Sequence, residues 1–193
     1  MSPPALVRGE IARQGAQAER CVILYPVSWA TYETLLADLA NQSSTRLTYD
    51  NGRLEIISPL AEHEECNRML ALLVEVLAEE MRLEIRNFGS TTFRRVDLAG
   101  GFEPDSCFYI QHEADISGKS TINLAVDPPP DLVIEVDITS GSLDKFPIYA
   151  QVGVPEVWRY DGQQVHIAVL GSAGYSVAET SRVLPFLTAR RLS

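Results

Sequence analysis

Glu135 and Asp137 sit at the end of an apolar run, Asp131-Leu132-Val133-Ile134-Glu135-Val136-Asp137. Side chains of a strand repeat every second residue, so Leu132, Ile134 and Val136 share one face. Asp131, Val133, Glu135 and Asp137 share the other. A carboxylate inside such a run is costly unless it is paired, hydrogen-bonded or bound to a cation. A further acid, Asp105, follows Pro104 at the head of another strand-like segment, and Lys145 comes ten residues after Glu135. Two acids from adjacent strands plus a lysine are what metal-assisted phosphodiester hydrolysis requires. The acids hold Mg²⁺, the metal polarises phosphate and activates water, and the ammonium stabilises developing negative charge. The acids converge only if their strands are neighbours.

The elements that must position these groups can be read in order. Residues 1–20 show little periodicity and read as an arm that is poorly ordered or contacts another subunit. Trp29, Tyr32, Leu35/Leu36 and Leu39 fall at helical spacing behind Ser28 as N-cap. Asp50-Asn51-Gly52 between two alternating runs predicts a β-hairpin. A long helix follows Ser58-Pro59 and runs to about Arg82, with Cys66, Met69/Leu70, Leu73, Val76/Leu77 and Met81 as its expected buried stripe. One turn earlier that stripe reaches Glu62 and His63. Short strands are expected over 83–86, 91–95 and 105–110, and a surface excursion over 111–130. After Asp137 come a turn, Thr139 to Ser142, a helix from about Leu143 to Val152, a second hairpin around Asp161-Gly162, and an edge strand at 174–177. The segment 183–192 reads as partly helical.

The chain has 193 residues, 46% of them hydrophobic and 22% charged, which suits one domain with a sizeable core. No apolar run is long enough to cross a bilayer, so no membrane association is expected. The N-terminal segment lacks the apolar core of a signal peptide, and a cytoplasmic location is expected. Cys21, Cys66 and Cys107 form no Cys-x-x-Cys pair and read as small buried hydrophobes. A net charge of −10 opposes nucleic-acid binding unless local arginines (Arg53, Arg86, Arg94, Arg95) or bridging cations offset it.

From about Trp29 to about Leu187 the sequence resembles the Uma-type endonucleases of the PD-(D/E)xK restriction-endonuclease-like superfamily. The stretches that carry the resemblance are 52–59 with Glu62-His63, Glu103-Pro104-Asp105, the run 130–136, and Lys145 with Tyr149 before 153–158. It implies an α/β (α+β) restriction-endonuclease-like core, a mixed β-sheet flanked by helices, within the single domain that the length and composition of residues 1–193 suggest. It also implies a Mg²⁺-dependent endonuclease (Mn²⁺ as substitute) with DNA as substrate. On this resemblance Asp105 and Glu135 are the metal-binding acids, with the Val136 carbonyl as a further ligand. Asp137 stands where the motif lysine is expected, and Lys145 supplies the ammonium instead.

Each residue also has a plainer reading. Asp105 also suits the mere close of a turn, Asp137 divides between third metal ligand and helix cap, and Lys145 taken alone is a solvated charge. His63 divides between a base and a hydrogen-bonded helix-start residue, and Glu62 between an assisting acid and a dipole-complementing one. Two further functions stay open: a nuclease-like fold without catalysis that serves as a binding or assembly module, and a nuclease acting on RNA. Enzymes that cut duplexes commonly present two sites about a two-fold axis, so a homodimer is expected.

Overall fold

A computed structural model describes residues 20–40, 45–138 and 143–192. The expected arm over 1–20, apart from Arg20, and the turn at 139–142 lie outside the described residues. The first element among the described residues is β1 (Arg20–Leu24), which sequence patterning did not predict. Next is α1 (Trp29–Asp38), capped by the Ser28 hydroxyl on the Thr31 N–H as expected. Then β2 (Arg46–Asp50) and β3 (Arg53–Ser58) form the predicted hairpin. Its turn requires positive φ at both central residues, and Asn51 (46°) and Gly52 (90°) supply it.

The long helix is α2 (Ala61–Met81), ended by Arg82 in the left-handed region. Beyond it are β4 (Arg86–Asn87), β5 (Phe93–Arg95), β6 (Gly100–Phe102) and β7 (Ser106–Tyr109). The 111–130 excursion contains the short α3 (Glu113–Ile116) before β8 (Leu132–Val136). The second half has α4 (Phe146–Val152), β9 (Glu156–Tyr160), β10 (Val165–Gly171), β11 (Gly174–Ala178) and α5 (Ala189–Leu192).

The fold is the expected α+β arrangement of sheet flanked by helices, and among the described residues the strands make two sheets. The first is antiparallel in the order β1-β3-β2-β6-β5; the second is mixed, β11-β10-β9-β8-β7-β4, with β8 and β9 its parallel pair. A chain passing from β8 to a parallel β9 needs a crossover, and α4 lies on that crossover. The period-2 pattern of β8 holds in three dimensions. Leu132, Ile134 and Val136 pack with Leu70 and Val74 of α2, while Val133 packs with Ile148 and Tyr149 of α4. Glu135, on the Val133 face, is therefore directed to α4.

On the first sheet, α1 packs Tyr32 against Tyr49, with ring centroids 5.1 Å apart, and the Tyr32 ring lies across Gly101. A Cβ there would meet the Tyr32 hydroxyl at 2.3 Å, so β6 needs glycine at this point. The buried face of α2 differs from the expected stripe. His63, Asn67, Leu70, Ala71, Val74 and Ala78 face inward, whereas Met69, Val76 and Met81 are exposed. The helix is turned so that polar His63 meets the Asp105 carboxylate and Asn67 meets the Asp105 main chain and the Ser106 hydroxyl, and apolar side chains on the far side face solvent.

Candidate active site

The antiparallel register that sets Ser106 opposite Ile134 brings Asp105 beside Glu135 one step further on. Both line a cleft of about 220 Å³ whose wall also holds Arg46, Glu55, His63 and Lys145. Both sheets, α2 and the segment leading into α4 thus contribute.

Glu135 is held by α4. Lys145, at the N-cap of that helix, places Nζ 2.8 Å from Glu135 Oε2 and 3.4 Å from the Glu103 carbonyl. One turn later, the Tyr149 hydroxyl donates to Glu135 Oε1. Burial pushes the Glu135 carboxyl above its ordinary value and nearby Asp105 adds to the rise, while the Lys145 ammonium opposes it. Burial disfavours the charge on Lys145, but the pull of Glu135 and Asp105 outweighs it and holds the ammonium above the ordinary lysine range.

Asp105 is held from three sides. It pairs with the Arg46 guanidinium, lies 3.3 Å from His63 Nε2, and accepts the Val136 N–H at 2.6 Å. Its main-chain carbonyl accepts Asn67 Nδ2 at 3.0 Å, and the Ser106 hydroxyl donates to Asn67 Oδ1 at 2.9 Å. These bonds tie α2 to β7 and explain why two polar residues occupy the inward face of the helix. Arg46 extends to Glu64 with its second nitrogen. Behind it, Glu103 accepts the Thr92 hydroxyl at 2.6 Å and the Leu47 N–H at 3.2 Å, and burial raises its carboxyl.

The remaining expected residues are placed as follows. His63 is buried against Asp105. Val136 and Asp137 line the cleft, but Asp137, just past the end of β8, pairs with Arg159 of β9. It does not cap α4, whose N-cap is Lys145. Glu62 is exposed and outside the cleft, and Glu64 is the helix-start acid that reaches inward, because the phase of α2 is set by Asn67 and His63. Sequence reasoning missed Arg46, Glu55 and Glu64. Arg46 opens a strand with no local mark of function, whereas Glu55 could have been noticed as an acid between Leu54 and Ile56 in a half-buried strand.

Among the described residues, no three of His, Cys, Asp and Glu are gathered tightly enough to hold a metal ion unaided. The acids facing the cleft, Asp105, Glu135 and Glu55, offer hard oxygen donors, and Glu55 Oε1 is buried without a partner. That donor set fits Mg²⁺, which is held by one or two carboxylates and keeps several waters.

No curated protein matches this sequence. Among solved structures, a crystal structure of "a putative nuclease belonging to DUF820" from Anabaena variabilis shares the fold, with a TM-score of 0.53 and 17% identity over 76% of this chain and 88% of that one. The family model Uma2, described as "Putative restriction endonuclease", matches residues 29–191, and the chain belongs to that family.

Proposed function

We propose that the cleft is the centre of a Mg²⁺-dependent endonuclease, also served by Mn²⁺, that hydrolyses DNA phosphodiester bonds. The observation that carries this reading is the Lys145–Glu135 contact of 2.8 Å. It brings an ammonium to two strand-borne acids even though the motif position holds Asp137. In this reading Asp105 and Glu135, with the Val136 carbonyl, hold the ion, and Asp137 acts as a partner of Arg159 at the rim. A bound divalent ion supplies polarisation of the phosphate and a more acidic water. Lys145 would neutralise charge that builds on the phosphate oxygens, Tyr149 fixes the rotamer of Glu135, and His63 orients Asp105. Glu62 has no part in this chemistry.

The same reading makes residues 1–193 one nuclease domain, because both sheets build one cleft. It also makes the protein a homodimer, supported by the exposed stripe Met69, Leu72 and Val76 along α2. Cys66 and Cys107 form no disulfide, which supports a reducing, cytoplasmic setting.

A second reading, an inactive binding or assembly module, is favoured by Arg46, whose guanidinium neutralises Asp105 without any ion. The two are separated by incubating purified protein with supercoiled plasmid, and in parallel with RNA, in Mg²⁺, Mn²⁺ or chelator. Cleavage that needs the ion and disappears in Asp105→Asn and Glu135→Gln, both still folded by circular dichroism, supports the nuclease. Absence of cleavage together with absence of Mn²⁺ binding by calorimetry supports the module, and preferential cutting of RNA changes the substrate.

A further inference from the structure

Glu55 is the acid of the cleft whose bonding is left incomplete. It lies on β3 with 0% exposure, and its Oε2 accepts the Leu143 N–H and is approached by Cys21 Sγ at 3.6 Å. Its Oε1 has no hydrogen-bond partner. Lys145 feels the negative charge of Glu55, but its ammonium is engaged by Glu135 and the Glu103 carbonyl.

A carboxylate that serves only the fold looks different in this same molecule. Glu156, equally buried, accepts Trp158 Nε1 and the Ser181 hydroxyl on Oε1, each at 2.6 Å, and the Arg182 N–H at 2.6 Å on Oε2. Both of its oxygens are satisfied by the chain, as buried polar groups ordinarily are. Glu55 has one oxygen fixed by the main chain and the other bare beside the cleft. That is the arrangement of an acceptor waiting for a donor the chain does not provide.

We propose that Glu55 is a third acidic member of the cation site, with Oε1 accepting a water from the ion's hydration shell. The proposal rests on the reading of the cleft as a divalent-ion site. Contact through water, rather than direct ligation, follows from two points. No three such side chains among the described residues are close enough to ligate one ion together. Mg²⁺ also gives up its waters reluctantly, so a nearby carboxylate is used to orient them. The Leu143 N–H bond sets the direction of Oε1 and joins β3, in the first sheet, to an ion held by the second.

The test uses Glu55→Gln in the full chain. Glutamine keeps an oxygen for the Leu143 N–H but turns two N–H donors toward a hydrated cation, which cannot accept them. Mn²⁺ affinity by calorimetry should fall about 10- to 100-fold. The metal-free melting temperature should stay level or rise, because a buried charge with a bare oxygen has been removed. Glu55→Asp, which keeps the charge but withdraws it by one methylene, should also weaken Mn²⁺ binding.

Mn²⁺ binding by Glu55→Gln at the parent affinity overturns the proposal, and so does loss of folding in the metal-free variant, which would mark Glu55 as structural. Asp105→Asn tells the two levels apart. If the parent binds Mn²⁺, Asp105→Asn loses it and Glu55→Gln keeps it, the role of Glu55 fails and the cation site stands. If the parent binds no Mn²⁺, both fail.

Discussion

Arg46 and Lys145 decide how the acids of the cleft behave. Each is buried or nearly so, and each balances a carboxylate that would otherwise be unpaired in a poorly solvated place. Removing Arg46 leaves Asp105 with only His63 and the Val136 N–H. Arg46→Ala should therefore cost about 3–5 kcal/mol in urea unfolding without divalent ion, and added Mn²⁺ should restore part of the loss if Asp105 holds the ion. Lys145→Ala is expected to act on rate instead. An ammonium that stabilises developing phosphate charge is worth about 10²–10³ in turnover, so single-turnover cleavage should fall by that factor. Mn²⁺ affinity should stay level or rise slightly, because Glu135 loses a competing cation, whereas Glu135→Ala should lose both. Cleavage by Lys145→Ala at the parent rate would remove the lysine from the mechanism.

At the scale of elements, α1 docks on the first sheet through an aromatic group. Trp29 meets Tyr32 and Tyr49 with centroids 5.2 and 5.4 Å apart, and Tyr32 covers Gly101. The Tyr32 hydroxyl is buried without a partner. A bare buried hydroxyl costs about 1–3 kcal/mol, so Tyr32→Phe, which keeps the ring, should leave stability level or raise it by up to about that amount in denaturant titration. The β9–β10 turn makes a pH prediction. The Gln164 N–H, then the His166 ring and the Gln163 N–H, hold the Asp161 carboxyl from 3.8 down to about 2. A carboxyl depressed by folding stabilises the native state above its unfolded value, and that contribution is lost as pH falls through about 2. The parent should thus melt above Asp161→Asn at pH 5–7, with the difference shrinking between pH 4 and 2. A difference that is constant with pH would assign the effect to turn geometry alone.

At the scale of the whole molecule, a net charge of −10 opposes a polyanionic substrate. The arginines expected to offset it are largely engaged elsewhere: Arg95 pairs with Asp97, Arg94 lies 4.0 Å from Glu33, and Arg86 bonds the Ile116 carbonyl. The cations at the cleft are instead Arg46, Lys145 and Arg159, each already facing an acid. Duplex affinity measured by fluorescence anisotropy should therefore require a divalent ion and fall steeply with monovalent salt. Tight binding in chelator that ignores salt would contradict this arrangement.

Much of this protein is set by short-range rules. The Asn51-Gly52 hairpin, the Ser28 cap, the alternation of β8 and the hairpin at Asp161 follow from local backbone and side-chain preferences, so the sequence alone shows them. Glu135 stands out as an acid inside an apolar strand, whereas Lys145 is joined to it and to Asp105 through the family resemblance. What tertiary structure decided is long-range. The phase of α2 depends on Asn67 meeting Asp105 across 38 residues, so the helix exposes Met69 and Val76 and turns Glu64, rather than Glu62, inward. Arg46 lies 59 residues from Asp105, and Glu55 lies 88 from the Leu143 N–H that fixes it. The division into two sheets depends in the same way on pairings between distant strands. No periodicity within a window carries such contacts, because they form only when the chain has closed on itself and each buried charge must find its partner.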